Sequence, residues 1–268
     1  MDLSSNELER ICNQVKDISF EAGDFIRKES VNFSAGKIET KGVHDYVTYV
    51  DKGVEKKLIS GLSEILPSTG FITEEETIRR ETKEYTWIID PLDGTTNFIH
   101  GLPPYSISIA LMKENKILLG LVFEVISKEC FYAWESGPAM LNGAEIHVSN
   151  ACSIKDTLVA TGFPYSDFER FGPFMDSLIY FMRNTHGVRR LGSAAIDLAY
   201  LACGRLDAFW EYSLKPWDVA AGAFIIQQAG GKVSDFSGGQ NYLFGKEIVA
   251  ANALVFEEFQ KLVEKFMT

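Results

Sequence analysis

The most informative pattern of the chain lies at residues 87–98, which read Trp87-Ile88-Ile89-Asp90-Pro91-Leu92-Asp93-Gly94-Thr95-Thr96-Asn97-Phe98. The apolar run that precedes Asp90 predicts a buried strand. Because a residue before proline avoids the α region, we expect the strand to end at Asp90-Pro91 and the chain to turn through Asp93-Gly94. Thr95 and Thr96 are suitable N-caps for a short helix that follows the turn.

The corner between this strand and this helix gathers donor groups of two kinds. The carboxylates of Asp90 and Asp93 stand on either side of a stiffening proline, and such oxygen ligands can hold a hard cation such as Mg²⁺. Backbone N–H groups at the start of a helix can hold a phosphate. A single aspartate before glycine is more often an ordinary turn residue. The second aspartate favours a rigid two-carboxylate site and phosphate ester chemistry.

Composition limits the classes of protein to consider. The chain has 268 residues, of which 46% are hydrophobic and 24% charged, as in ordinary globular proteins. A formal net charge of −11 argues against general binding to nucleic acid or anionic membranes. A bound metal can reverse the sign of the local field, so an anionic substrate remains compatible with this charge.

The cysteines and the N-terminal residues indicate a cellular location. No two cysteines form a C-x-x-C pair, and we expect buried thiols in a reducing compartment, at Cys12, Cys130, Cys152 and Cys203. The first residues are polar, and no stretch is long and apolar enough to cross a membrane. The sequence therefore predicts a cytoplasmic protein without membrane or nucleic-acid partners.

The stretch from Asp90 to Phe98 resembles the first signature of the inositol monophosphatase family, whose members are Mg²⁺-dependent, lithium-sensitive phosphatases. Trp217-Asp218, followed by a small-residue helix and Ala-Gly-Gly, resembles the second signature of that family. Glu74 matches the glutamate of its G-E-E motif, although Thr73 stands where the family usually has glycine. The resemblance covers essentially the full length and is nearest to bacterial inositol-1-monophosphatases.

The resemblance implies a metal site built from oxygen donors alone, which favours Mg²⁺ over zinc. The implied ligands are the side chains of Glu74, Asp90, Asp93 and Asp218, the Leu92 carbonyl and, for a further ion, Asp51. It also implies that Glu74 and Thr95 position the attacking water and that Asp51 orients it. Ordinary alternatives exist, because Asp51 is also a good helix N-cap and Glu74 lies in a run of acids that a solvated loop would carry.

The resemblance implies a substrate pocket beside these ligands. The N–H groups of Gly94 and Thr95, with Asp93, would contact the phosphate. Lys41 resembles the lysine of a mobile loop. The residues implied to line the polyol pocket are Gly192, Ser193, Ala194, Glu211 and Asp218. Lys215 departs from the histidine of the animal enzymes, which leaves room for other polyol phosphates.

The pattern of elements predicts two parts. Residues 1–146 read as an N-terminal α+β part that carries most metal ligands, with a long first helix and an antiparallel meander over residues 105–133. Residues 147–268 alternate helices and strands and read as an α/β part with the substrate-binding residues and Asp218. The resemblance implies the mixed α+β and α/β fold of the sugar phosphatases, a layered αβαβα sandwich, and a homodimer.

The leading hypothesis is an inositol-1-monophosphatase that hydrolyses myo-inositol monophosphate to myo-inositol and phosphate with a metal-activated water. Other phosphatases of related folds remain alternatives, acting on fructose 1,6-bisphosphate, 3′-phosphoadenosine 5′-phosphate or histidinol phosphate. A regulatory protein-binding scaffold is the alternative outside enzymes. The sequence has no G-x-S-x-G, P-loop or H-E-x-x-H motif that would favour another chemistry.

Overall fold

The structure is a computed structural model that describes residues 2–31, 38–42, 45–78, 80–164 and 167–268, with the backbone alone for 38–42 and 45–47. The α-helices in these ranges are α1 (Ser5–Val31), α2 (Tyr49–Ile65), α3 (Thr95–Ile99), α4 (Phe171–Asn184), α5 (Ala194–Ala202), α6 (Pro216–Gln228) and α7 (Phe256–Met267). None of these helices combines the length and apolarity that crossing a membrane requires.

The strands fall before and after residue 146. Those before it are β1 (Ile38–Gly42), β2 (Asp45–Thr48), β3 (Gly70–Thr73), β4 (Tyr85–Asp93), β5 (Ser106–Lys113), β6 (Lys116–Glu124), β7 (Glu129–Trp134), β8 (Met140–Leu141) and β9 (Ala144–Glu145). Those after it are β10 (Leu158–Thr161), β11 (Gly187–Arg189), β12 (Ala208–Tyr212), β13 (Gly231–Ser234) and β14 (Glu247–Asn252).

Two large sheets carry the fold. The first has the order β3-β4-β5-β6-β7-β8-β9, and all its neighbours are antiparallel except β3 and β4. Within it, β5 to β7 form the antiparallel meander predicted from the sequence. The second sheet is mixed, with the order β11-β10-β12-β14-β13 and β10 parallel to both of its neighbours. Strands β1 and β2 form a separate antiparallel pair.

The helices complete a sandwich of five layers. Helices α1 and α2 pack on the outer face of the first sheet, α5 and α6 lie between the two sheets, and α4 and α7 cover the outer face of the second. Three apolar clusters correspond to the three groups of contacts, one around each helical layer. This arrangement confirms the predicted αβαβα architecture. The two-part division at residue 146 stays a prediction, although the sheets fall on either side of it.

The first helix shows why the sequence folds in this way. The helix begins with a capping box, in which the Ser4 N–H donates to Glu7 Oε2 at 2.8 Å and the Glu7 N–H donates to Ser4 Oγ at 3.4 Å. Apolar side chains at helical spacing, from Leu8 to Ile26, then lie on one buried face. Burial of this face against the first sheet supplies most of the stability of the helix, since propensity alone contributes little.

The prediction of buried cysteines is correct for two of the four. Cys12 and Cys130 are buried under α1, Cys203 is half-buried at the end of α5, and Cys152 is exposed. All four are reduced thiols. Cys152 escapes burial because it lies in an irregular segment between the two sheets, and a periodicity argument says nothing about such segments.

Candidate active site

The acidic corner lies at the end of β4, and the strand is longer than predicted. It continues through Pro91 to Asp93, so the prediction that it ends at Asp90 is wrong. The extended conformation that proline imposes on the preceding residue is compatible with a strand. A bulge absorbs the proline, because Asp90 pairs with Ser108 and Asp93 with Ser106, which leaves one extra residue on β4.

Gly94 makes the turn from β4 into α3. Its φ of 94° lies in the left-handed region, where glycine carries no steric penalty, and it occupies the N-cap position. Thr95 and Thr96 are therefore the first helical residues, and the prediction that they cap the helix is wrong. The Thr95 hydroxyl instead lies 2.9 Å from Asp51 Oδ1 and 3.0 Å from the Leu92 carbonyl, either of which can accept its proton.

Asp93 is held by residues from the second half of the chain. Its Oδ2 accepts hydrogen bonds from Ser193 Oγ at 2.6 Å and from the Ala195 N–H at 2.8 Å. Burial raises the pKa of Asp93 to about 6, while these donors and the charge of Arg190 act in the opposite direction. Ser193 is the N-cap of α5, so the start of this helix is fixed against the acidic corner.

Asp90 lies at the centre of a group of carboxylates. Its Oδ1 accepts from the Leu92 N–H at 2.9 Å. Burial raises its pKa well above the usual range, and the charges of Glu74, Asp93 and Asp218 raise it further. Glu74 follows β3, which pairs with β4, and its N–H donates to the Ile89 carbonyl at 3.3 Å. The structure thus brings four of the predicted metal ligands into one neighbourhood.

Asp218 and the fifth acid of the predicted metal set, Asp51, lie at the starts of helices. Asp51 is the third residue of α2. The N-cap of that helix is Thr48, so the alternative that Asp51 is the N-cap is wrong by three residues. Asp218 is the third residue of α6 and its Oδ2 accepts from the Lys215 N–H at 2.7 Å. Burial and the charge of Asp93 raise the pKa of Asp218 to about 7.

The donor chemistry of this group fits a hard divalent cation. Every candidate ligand is an oxygen, and a cation would offset the repulsion between the carboxylates around Asp90. The donor types therefore suit a divalent cation, although the ligands among the described residues are not arranged as a complete coordination site. Within the part of the chain that the structure describes, no three carboxylate, histidine or cysteine side chains are already gathered as a complete metal site.

The predicted pocket residues approach the corner from the second sheet and from α5. Gly192 has a φ of 92°, and its carbonyl lies next to the backbone of Gly94. Ser193 and Ala194 continue into α5 and are buried. Glu211 lies within β12, the central strand of the second sheet. Burial and the charges of Asp218 and Asp93 raise its pKa, and Arg190 opposes this.

Three further positions singled out in the sequence are placed as follows. Lys41 belongs to β1, but its side chain lies outside the described residues. Thr73 ends β3 and pairs with Ile89 in regular strand geometry, so the absence of glycine leaves the strand pairing intact. Lys215 is exposed at the start of α6, and its backbone is what contacts Asp218.

Sequence reasoning missed two charged residues of the site. Arg190 lowers the pKa values of Asp93, Asp197 and Glu211, so it is the cation that opposes these acids. Asp197 is buried in α5, and its Oδ1 has no hydrogen-bond partner among the described residues. Their closeness in sequence to predicted pocket residues could have indicated both. Arg190 precedes Gly192 by two residues, and Asp197 lies one helical turn after Ser193.

The fold and the acidic corner define the class of the layered αβαβα phosphatases. The crystal structure of extragenic suppressor protein suhB from Bartonella henselae has this fold, with a TM-score of 0.88, 36% sequence identity, and coverage of 94% of this chain and 98% of that one. The model of the inositol monophosphatase family matches residues 7–267. The chain belongs to the inositol monophosphatase family, whose members are generally metal-dependent.

Similar curated proteins carry two kinds of name. The chain is 37% identical over 256 residues to an inositol-1-monophosphatase of Mesorhizobium japonicum, which covers 95% of this chain and 96% of that protein. It is 38% identical over 241 residues to the Nus factor SuhB of Pseudomonas aeruginosa, with coverage of 88% and 89%. The family and the fold indicate a phosphatase, and the names leave its substrate open.

Proposed function

We propose that the protein is a Mg²⁺-dependent phosphate monoester hydrolase whose substrate is inositol monophosphate. The observation that carries the proposal is the buried carboxylate of Asp90, which has Glu74, Asp93 and Asp218 as charged neighbours. Folding concentrates like charges at one strand end, at a cost in free energy that a bound cation would offset. Such an arrangement is typical of functional sites.

Magnesium would be held by oxygen atoms of the corner, namely those of Glu74, Asp90, Asp93, Asp218 and the Leu92 carbonyl, with Asp51 near a further ion. When bound, the cation would neutralise phosphate charge and make a water molecule more acidic. The number of ions is a matter for titration.

The side chains next to this group have separate tasks. Asp51 Oδ1 lies 2.9 Å from Thr95 Oγ1 and can accept the hydroxyl proton, which leaves the oxygen lone pairs of Thr95 to orient an incoming water. Glu74 would accept a proton of that water, as a general base near Asp90. The N–H groups of Gly94 and Thr95 would donate to the phosphate oxygens.

Substrate choice would depend on the residues that face the acidic corner from β12 and from the start of α5. Glu211 would accept hydrogen bonds from polyol hydroxyls, with Gly192, Ser193 and Ala194 beside it, and Lys41 would approach from β1. A carboxylate that accepts from a diol makes charge-assisted hydrogen bonds, which are stronger than neutral ones. The acidic corner would bind the phosphate group of any of the alternative substrates, namely fructose 1,6-bisphosphate, 3′-phosphoadenosine 5′-phosphate and histidinol phosphate. These substrates would differ in their contacts with Glu211 and its neighbours.

A phosphate-release assay with all four substrates and Mg²⁺ tests the proposal. We expect the highest kcat/KM for inositol monophosphate, and inhibition by lithium ions as the family resemblance predicts. Asp93→Asn is the matched variant, because asparagine keeps the shape of a side chain that is anchored by Ser193 and Ala195. A preference for another substrate would refute the inositol assignment, and equal activity of Asp93→Asn would refute the site.

A second candidate function comes from the relatives named Nus factor SuhB. A regulatory role through a protein partner is compatible with an intact acidic corner. The test is affinity purification from cells that express tagged wild-type protein or Asp93→Asn at equal levels. Equal recovery of one stoichiometric partner with both would support a role separate from catalysis, and recovery with neither would count against it.

The cytoplasmic location and the homodimer that the sequence predicts stay predictions.

A further inference from the structure

The carboxylate of Glu211 lies directly against the backbone of Gly162. A Cβ atom added to Gly162 would lie 1.9 Å from Glu211 Oε1, 2.2 Å from Cδ and 2.3 Å from Oε2. These distances are far below van der Waals contact, so the carboxylate occupies the space that any side chain at position 162 would need. No positive φ accompanies this glycine, and its small size is therefore the feature that matters.

The backbone at Gly162 is fixed by the sheet. The preceding residue, Thr161, ends β10 and pairs in parallel with Trp210 of β12. The buried Thr161 hydroxyl also donates to the Trp210 carbonyl at 2.6 Å. Because Glu211 is the next residue of β12, the two backbones are held at a set separation. A side chain at position 162 would therefore displace the carboxylate, which is the far end of a flexible side chain, more easily than either strand.

The position of the carboxylate matters because its surroundings are mostly acidic. Asp218 and Asp93 disfavour the charged form of Glu211, while Arg190 and the backbone amide of Gly162 favour it. Phe163, the residue after Gly162, also contacts Arg190, because the Arg190 guanidinium lies 5.6 Å from the centre of the Phe163 ring. A carboxylate pushed away from Gly162 would lose one of these two favourable partners.

We propose that Gly162 is a positioning residue for substrate specificity, which holds the Glu211 carboxylate in place for polyol recognition by leaving space for it. The inference rests on the proposed function, in which Glu211 contacts the polyol. Gly162 itself acts through Glu211 and needs no contact with the substrate.

The test compares two substrates in Gly162→Ala. We expect the ratio of kcat/KM for inositol monophosphate over a simple aryl phosphate to fall about ten- to a hundredfold, the range for a lost charged hydrogen bond. The fall should come mainly from a higher KM for inositol monophosphate. Gly172→Ala is the matched control, because a Cβ at that position meets no atom within 4 Å. Its substrate ratio should equal that of the wild type.

A double-mutant cycle with Glu211→Gln separates positioning from a general structural effect. If Gly162 acts through Glu211, the double variant should have the same substrate ratio as Glu211→Gln alone. Multiplied effects, or an unchanged ratio in Gly162→Ala, would overturn the proposal. If Gly162→Ala does not fold, as judged by circular dichroism, Glu211→Asp replaces it and withdraws the carboxylate by one methylene. An unchanged ratio in that variant would also overturn the proposal.

The outcomes distinguish this inference from the proposed function. Wild-type protein that hydrolyses neither substrate would refute the proposed function, whatever the variants do. Wild-type protein that prefers inositol monophosphate, with a loss of preference in Glu211→Gln and none in Gly162→Ala, would refute the role of Gly162 alone.

Discussion

Two aspartates occupy the same place in two helices from opposite halves of the chain. Asp51 and Asp218 are each the third residue of a helix, and each accepts the backbone N–H of the residue before that helix, at 2.9 and 2.7 Å. Local sequence therefore explains both as capping-box acids. Both were also predicted metal ligands, so the same local motif carries two possible roles.

Their remaining contacts differ. Asp51 has protein donors on both oxygens, with the Thr48 hydroxyl on Oδ2 and the Thr95 hydroxyl on Oδ1. Asp218 receives one hydrogen bond among the described residues, from Lys215, and faces the charge of Asp93. A carboxylate whose oxygens are occupied by hydroxyls is suited to orient them, whereas one beside another carboxylate is suited to share a cation. From this contrast we expect Asp218 to contribute more to metal binding than Asp51, whose main task would be to orient the Thr95 hydroxyl.

The largest effect is expected from Asp218→Asn. The asparagine oxygen can still accept the Lys215 N–H, so the start of α6 should persist. The lost charge should reduce kcat/KM about a thousandfold, since bound metal contributes several kcal/mol to transition-state stabilisation. Phosphate release at saturating Mg²⁺ measures it. A decrease of less than tenfold would make Asp218 an ordinary capping residue and remove the contrast with Asp51.

The next effect concerns metal and thermal stability. A ligand at about 100 times its Kd stabilises the folded state by about 2.7 kcal/mol, or roughly 5–10 °C in Tm for a domain of this size. We expect Mg²⁺ to raise the Tm of the wild type by this amount, and Asp218→Asn to lose most of the shift. The measurement is thermal unfolding with Mg²⁺ and with EDTA. A full shift in Asp218→Asn would contradict its assignment as a ligand.

A smaller effect is expected from Asp51→Asn. Because its contact with the Thr95 hydroxyl suits Asp51 mainly to orientation, we expect its loss to resemble that of a group that supports the metal ligands, which costs about ten- to a hundredfold in activity. Its Mg²⁺-dependent shift in Tm should remain close to that of the wild type. Activity and thermal unfolding on one protein sample check both statements. Loss of the Mg²⁺ shift would place Asp51 among the ligands and erase the difference between the two aspartates.

The smallest effect separates the two caps. Thr48→Ala removes the hydroxyl that contacts Asp51 and should lower stability by about 1 kcal/mol, or roughly 2–4 °C in Tm. Lys215→Ala should change Tm by less than about 1 °C, because the cap of α6 uses the backbone N–H of Lys215 and alanine retains it. Thermal unfolding with EDTA measures the pair. A larger loss in Lys215→Ala would mean that the lysine side chain stabilises that helix start.

The sequence predicted those parts of the fold that depend on local patterns. The long first helix and the meander from β5 to β7 follow from spacing and turn residues alone. The end of β4 was missed because a proline was read as a stop, while the sheet accommodates it in a bulge. Bulges depend on the partner strand, which a local argument does not include.

The sequence predicted most members of the candidate site, but it predicted neither Arg190 and Asp197 nor the contacts between the members. The family resemblance named Asp93 and Ser193 as separate residues. In the structure the Ser193 hydroxyl donates to Asp93 Oδ2 at 2.6 Å, although the two residues are 100 positions apart in the sequence. The space at Gly162 for Glu211 has no sequence signature, because it arises where two strands meet. Long-range pairing of this kind is decided by the topology of the second sheet.

The hydrogen bond from Ser193 to Asp93 has a consequence for the order in which the site forms during translation. Asp93 is anchored by the start of α5, and Asp218 lies in the first turn of α6, so the corner remains incomplete after every strand of the first sheet has been synthesised. Translation proceeds at roughly 5–20 residues per second, and the 72 residues from position 147 to Asp218 therefore take on the order of 4–14 s to appear. During that interval a nascent chain can carry Asp90 and Asp93 without the groups that steady them. The acidic corner would then be completed late in synthesis, only after Asp218 has been added.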